Sequence, residues 1–296
     1  MMGPVSVTPV IEVRGLRKSY GDHEAVRGVD FDVASGEVFS LLGPNGAGKT
    51  TTVEILEGHR FRDAGDVTVL GMDPARRERA LRERVGVVLQ SGSIYRYVKV
   101  GEALAHWASL YPHPRDVREV LELSGLTDKA DAVARTLSGG QQRRLDFALA
   151  LVGDPDIMFL DEPTTGFDPA ARRTAWDTIR ALREMGKTIF LTTHYLDEAQ
   201  ALADRVAIIK DGEFVAVGAP AELGVSAALR VIVTWRDETG ELREERVEDP
   251  TALLHELTGA AIQRGEQVHE LTVTRPSLED VYLELTHEEA EDVIGV

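Results

Sequence analysis

The sequence predicts an α/β protein, an open sheet of short buried strands flanked by helices, followed by a small α+β appendage. Three observations predict it. Val38-Phe39-Ser40-Leu41-Leu42 is a short apolar run that stops at a loop with three glycines, after which 50–56 reads as the opening of a helix. Further apolar runs at 85–89, 157–160 and 188–193 are separated by helical patterns and end in Gln90, Asp161-Glu162 and His194. Beyond Pro220 the composition changes: residues 222–296 hold 18 Asp/Glu against 6 Arg and no Lys, most of the chain's net charge of −17.

The elements follow in order. Residues 10–16 alternate Val-Ile-Glu-Val-Arg-Gly-Leu as a half-buried strand does, and 18–22 reads as a turn. A second alternating run, 26–33, leads through Ala34-Ser35-Gly36 into the buried strand at 38–42. A strand at 66–70 follows the first helix, and 76–84 is charged and helical in character. Ala103, Leu104, Trp107, Ala108, Leu110 and Tyr111 recur at helical spacing, as do Val117, Val120, Leu121 and Leu123; Pro112-His113-Pro114 separates the two helices. Ser138 is a helix cap ahead of two glycines. A helix at 170–185 ends at Gly186, a short one occupies 196–203, and strands at 206–209 and 214–217 form a hairpin. The appendage reads as strands at 229–235, 242–247 and 268–274 with helices at 251–264 and 277–286.

Composition narrows the class. The 296 residues suffice for one large or two modest domains, and a hydrophobic fraction of 43% is that of an ordinary soluble protein. No apolar run approaches the roughly 18 residues of a membrane span, and the N-terminus lacks the basic start and apolar stretch of a secretory signal. Without cysteine there is neither disulfide nor thiolate metal site. His106 and His113 have no partners at ligand spacing and read as surface or packing residues. A cytoplasmic location is the expectation, with any membrane role exercised through a partner. The acidic tail argues against binding to a nucleic-acid backbone.

The chemistry gathers at strand ends. Gly43, Gly48, Lys49 and Thr50 fit G-x-x-x-x-G-K-[ST], the phosphate-binding loop. Glycines let successive N–H groups turn around phosphate oxygens, and the helix N-terminus adds partial positive charge. Lys49 is expected to reach the β- and γ-phosphates and the Thr50 hydroxyl to sit on Mg²⁺. Asp161 is suited to hold that metal, directly or through water, and Glu162 to polarise an attacking water. Gln90, at the end of a buried strand, can reach a metal or a water. Ser138 with Gly139 and Gly140 lets a second anion approach a helix start. Tyr20, ahead of the loop strand, either packs or stacks on a base. In an open α/β sheet, ligands collect at the strand C-terminal ends, where all of these converge.

Taken together, these residues resemble the ATP-binding cassette family, the nucleotide-binding subunits of ABC transporters, over roughly 10–220. Gly43, Pro44, Asn45, Gly46, Ala47, Gly48, Lys49, Thr50 and Thr51 match its phosphate loop, Gln90 its Q-loop, and Leu137-Ser138-Gly139-Gly140-Gln141 its LSGGQ signature. Residues 157–162 match the metal-and-base strand, His194 the switch histidine and Tyr20 the adenine-stacking aromatic. Asp168 matches the D-loop, although Phe167 stands where leucine is usual. The resemblance implies a P-loop NTPase fold of the ABC type, with a RecA-like core, an antiparallel β subdomain and a helical subdomain at about 91–145. The implied boundaries are an N-terminal extension at 1–9, the ATP-binding domain at 10–221, an α+β accessory domain at 222–286 and an acidic tail at 287–296. Residues 192–199 and 276–282 look like the daunorubicin-resistance branch, which serves exporters of drugs, lipids or polysaccharides.

The resemblance further implies a head-to-tail dimer with ATP between the phosphate loop of one copy and Ser138, Gly139, Gly140, Gln141 and Asp168 of the other. Tyr20 would stack on adenine, Thr50, Gln90 and Asp161 would hold Mg²⁺, Glu162 would orient the water and His194 would contact the γ-phosphate. Closure and opening would drive a separate membrane permease, contacted by the segment between Gln90 and Thr136, with the chain peripheral on the inner face of the cell membrane. A cassette acting on ribosomes or DNA is a competing class, disfavoured by the single cassette, the absence of sustained heptads and the acidic balance. Uptake shares every motif with export.

Overall fold

The most apolar segments of the chain form the middle of a sheet. The computed structural model describes residues 9–88, 97–226, 231–237, 239–274 and 282. Two long strands, β1 (Pro9–Tyr20) and β2 (His23–Ala34), precede the buried β3 (Val38–Leu42), whose loop opens α1 (Lys49–Leu56). Next come β4 (Ala64–Val69), the four-residue α2 (Arg79–Arg82) and β5 (Val85–Val88). A helical segment holds α3 (Val100–Ala108), α4 (Val117–Leu123) and α5 (Gly139–Leu151). The chain then alternates β6 (Ile157–Asp161), α6 (Pro169–Glu184), β7 (Thr188–Thr193) and α7 (Leu196–Leu202) before β8 (Arg205–Lys210) and β9 (Glu213–Gly218). Last come α8 (Pro220–Ser226), β10 (Val231–Arg236), β11 (Leu242–Val247), α9 (Thr251–Arg264) and β12 (Thr272–Thr274).

The central sheet has six strands in the order β5-β6-β7-β3-β8-β9, and its first five run parallel. Both faces are covered, so β3, β6 and β7 are buried at every position, as a parallel sheet between two layers requires. Alternate residues serve opposite layers. Phe39, Phe159 and Phe190 pack with β1, β2, β4 and α1, while Val38, Met158, Leu160, Ile189 and Leu191 pack with α5, α6 and α7. Phe39 stacks on Phe31 at 5.4 Å and on Phe190 at 5.5 Å between centroids, joining the central sheet to the antiparallel sheet β2-β1-β4. A third cluster, around Val100, Leu104, Val120 and Leu126, is the core of the helical segment. β8 and β9 are joined by Asp211 and Gly212, both at positive φ (48° and 82°), as a two-residue hairpin turn demands.

The structure corrects several local expectations. Lys18, Ser19 and Tyr20 are strand rather than turn, because β1 keeps its pairing with β2 as far as Tyr20 opposite His23. The charged stretch 76–84 is a 3₁₀ turn and the short α2, interrupted where Arg77 takes a left-handed φ of 53°. The last strand is only β12, since turn residues occupy 269–270. Gln90, the helix expected at 277–286 (Tyr282 apart), the acidic tail, and nearly all of the N-terminal extension lie outside the described residues. The chain divides into two compact units, Met1–Val215 and Ala216–Val296, with the division inside β9. The described part of the second unit includes the antiparallel sheet β11-β10-β12 and α9.

Candidate functional site

The strand order puts the carboxyl ends of β6, β7 and β3 side by side, so three motifs far apart in sequence become neighbours. β3 delivers the glycine-rich loop. A Cβ on Gly43 would stand 2.3 Å from the Ile209 carbonyl oxygen, and one on Gly48 would stand 2.3 Å from that of Ala25. These two glycines are required by close backbone approach before any ligand is considered, and Gly48 also holds a φ of 104° at the helix cap. Lys49 opens α1 and is buried, its Nζ donating to the carbonyls of Gly43 (2.8 Å) and Pro44 (3.0 Å) and lying 3.5 Å from Glu162 Oε1. Burial pushes the Lys49 pKa below the ordinary lysine value, and the Glu162 and Asp161 carboxylates partly oppose that.

β6 ends in the acid pair. Asp161 accepts from Thr192 Oγ1 at 2.5 Å and faces Thr50 Oγ1 at 3.5 Å. Burial raises its pKa, against the Thr192 hydrogen bond that lowers it. Glu162 has a φ of 45°, a left-handed conformation rare for a residue with a side chain. Its N–H donates to Thr192 Oγ1 (3.0 Å) and to the Thr192 carbonyl (3.2 Å). Its carboxylate accepts from Thr165 Oγ1 at 3.1 Å and lies 3.3 Å from His194 Nδ1. Lys49, Thr50, Asp161, Glu162 and His194 thus meet in one place. A cavity of about 620 Å³ opens over Lys49, Thr50, Glu162 and His194, lined also by Tyr20, His23, Asn45, Gly46 and Thr51. Tyr20 is 41% exposed at its edge, with the Arg60 guanidinium 5.1 Å from the ring centroid.

The second glycine-bearing helix start is elsewhere. Ser138 caps α5 through a reciprocal box, its Oγ accepting from Gln141 N–H at 3.3 Å while its own N–H donates to Gln141 Oε1 at 3.0 Å. Ser138, Gly140 and Gln141 line a separate cavity of about 210 Å³ with Phe167. Asp168 is exposed and caps α6, its Oδ1 accepting from the N–H groups of Ala170 and Ala171.

Known proteins resemble this chain in sequence and in fold. A family model described as ABC transporter matches residues 26–165. The Nod factor export ATP-binding protein I of Ralstonia nicotianae is 39% identical, over 98% of this chain and 98% of its own. The protein of that name from Burkholderia orbicola is 40% identical, over 97% of this chain and 100% of its own. The chain belongs to the ATP-binding subunits of ABC transporters. Among solved structures, cbiO1 from Clostridium perfringens, part of the ABC transporter complex cbiONQ, superposes with a TM-score of 0.67 at 28% identity, over 74% of this chain and 91% of its own. An ATP-binding cassette of an ABC transporter in its ADP conformation shares the fold, with a TM-score of 0.64 at 24% identity, over 73% of this chain and 92% of its own. The cassette is therefore a nucleotide-binding ATPase with the α/β fold expected of it.

Sequence reading missed the residues that orient this site. Thr192 fixes both acids, Thr165 holds the Glu162 carboxylate, and Glu198 is fully buried beneath the following loop. The available signal was polarity at buried strand ends: Thr192 and Thr193 follow the apolar Ile189-Phe190-Leu191 in β7.

Proposed function

We propose that this cassette subunit binds ATP with Mg²⁺ and hydrolyses it in a site shared between two copies, driving export through a separate membrane permease. The observation that carries the reading is the meeting of Lys49, Asp161, Glu162 and His194 under the glycine loop. Tyr20 takes the adenine face, the N–H groups of 43–51 and Lys49 take the phosphates, and Glu162 orients the attacking water. His194, beside Glu162, meets the γ-phosphate. The Thr50 hydroxyl and Asp161 carboxylate converge as hard oxygen donors, which fits a Mg²⁺ that keeps waters and binds phosphate oxygens. Bound there, the metal would neutralise charge on the β- and γ-oxygens.

The second copy would supply Ser138, Gly139, Gly140, Gln141 and Asp168. What supports this is that Gly139 has no atom within 4 Å of a would-be Cβ, and Gly140 only the Ala171 Cβ at 4.0 Å. Neither glycine is at positive φ. Nothing within the described residues therefore requires glycine there, whereas close approach by a second molecule would. For the permease, a groove of about 570 Å³ runs between the end of α1, β5 and the helical segment, walled by Pro74, Leu81, Val88, Trp107 and Tyr111. No helix among the described residues is long and apolar enough to cross a membrane, and we place the chain on the inner face of the cell membrane through that permease. Export rests on the names of the relatives, which are Nod factor export proteins; small C-terminal domain included, they match over nearly their whole length.

Glu162→Gln tests the chemistry. It should keep ATP binding, nearly abolish hydrolysis and trap the closed pair, and undiminished turnover would remove Glu162 from the reaction. Co-purification of a membrane protein with the tagged chain tests the permease.

A further inference from the structure

A buried polar junction lies behind the acid pair. Glu198, on α7, is fully buried, and its Oε1 accepts from Thr164 Oγ1 at 2.9 Å and from Trp176 Nε1 at 3.0 Å. Thr164 is itself fully buried and stands two residues after Glu162, in the loop that ends at Asp168. From a third direction Arg143, buried on α5, donates its Nε–H to the Pro163 carbonyl at 3.0 Å. Glu198 and Asp161 both lie within electrostatic reach of that guanidinium.

The junction thus ties together four segments, each of which begins at or within two residues of a candidate site residue. α5 is capped by Ser138, the loop starts from Glu162, α6, which carries Trp176, is capped by Asp168, and α7 starts two residues after His194. A carboxylate buried among helices is costly, and an apolar residue of similar volume would ordinarily stabilise the same packing better. What a carboxylate adds is directional: it fixes the Thr164 hydroxyl and the Trp176 indole at once. Apart from the Glu162 N–H bond to Thr192, the loop's own backbone bonds are short-range turns, Thr165 N–H to the Glu162 carbonyl and Phe167 N–H to the Thr164 carbonyl, and none of them fixes the Thr164 side chain.

We propose that Glu198 and Arg143 are positioning residues for hydrolysis, which hold Pro163 and Thr164, and through them the Glu162 carboxylate, in fixed relation to the α5 start and to His194. This rests on Glu162 being the residue that orients water. Neither Glu198 nor Arg143 lines the cavity over Lys49 and Glu162; they act through the loop.

The test is made on the full chain with Thr164→Val, Thr164→Ser, Glu198→Leu and Glu162→Gln side by side. Thr164→Val and Glu198→Leu, each of which removes the Thr164–Glu198 hydrogen bond, should lower kcat by about tenfold or more, since small displacements of a reacting group are costly. Affinity for a fluorescent ATP analogue should stay within about twofold, and Thr164→Ser should restore turnover. Melting temperature identifies any variant that fails to fold, and the conservative Thr164 pair then decides. Wild-type kcat in Thr164→Val and Glu198→Leu, with Glu162→Gln inactive, would make the junction merely structural. Failure of Thr164→Ser to restore turnover would also overturn the proposal. Full turnover in Glu162→Gln would instead overturn the reading beneath it.

Discussion

The two glycine-bearing helix starts of this cassette look alike in sequence and differ in what the fold asks of them. At 43–48 the glycines are demanded from within: Gly43 lies against the Ile209 carbonyl, Gly48 against that of Ala25, and Lys49 is buried. At 138–141 nothing presses on the glycines, and Ser138 and Gly139 are exposed. The first start is built into the core. The second is a surface whose glycines are not required by anything among the described residues. The difference teaches that the fold accounts for a motif at one place and leaves it to the proposed second copy at another.

Variants that act on one start and spare the other sharpen this contrast. Glu162→Gln, beside the first start, should cost about 10³-fold in kcat with ATP binding retained, the usual scale for a lost catalytic base; steady-state and binding assays check it. Next in size is the glycine pair. Gly48→Ala has no room and should lose nucleotide binding together with thermal stability. Gly139→Ala has room, and by helix propensity should leave the melting temperature unchanged or raised, the gain in stability being up to about 1 kcal/mol, while turnover falls. Equal loss of stability in the two would erase the contrast. Ser138→Ala removes the capping box of α5 and should cost about 1 kcal/mol in denaturant melts. The smallest effect is on pH. Lys49 binds phosphate when charged and has a lowered pKa, so nucleotide affinity should fall as pH rises through that value, earlier than for an ordinary lysine. Lys49→Arg, which stays charged, should flatten that decline in a fluorescence titration.

Much of the fold was legible because β3, β6 and β7 are short apolar runs closed by glycine, acids or histidine, and burial on both faces leaves little else they can be. The loop was legible for a related reason: Gly43, Gly48, Lys49 and Thr50 carry fixed spacing within one strand-turn-helix. The supports were not legible. Thr192 meets Asp161 and Glu162 across roughly thirty residues, and Thr164 meets Glu198 across a similar gap, between residue types common anywhere. Glu198 reads in sequence as one more acid in the first turn of a helix, and only packing shows it buried where its neighbour Asp197 is not. The extension of β1 through Tyr20 was hidden likewise, since pairing with β2 and not local pattern keeps Lys18 and Ser19 extended.

The central claim is that the site is completed by a second chain at 138–141. Sedimentation of the Glu162→Gln chain with and without ATP tests it most directly, alongside the same chain carrying Ser138→Arg. The account predicts an ATP-dependent dimer for the first and a monomer that still binds ATP for the second. A Glu162→Gln chain that binds ATP yet stays monomeric, or a Ser138→Arg chain that dimerises as well as its parent, would contradict it.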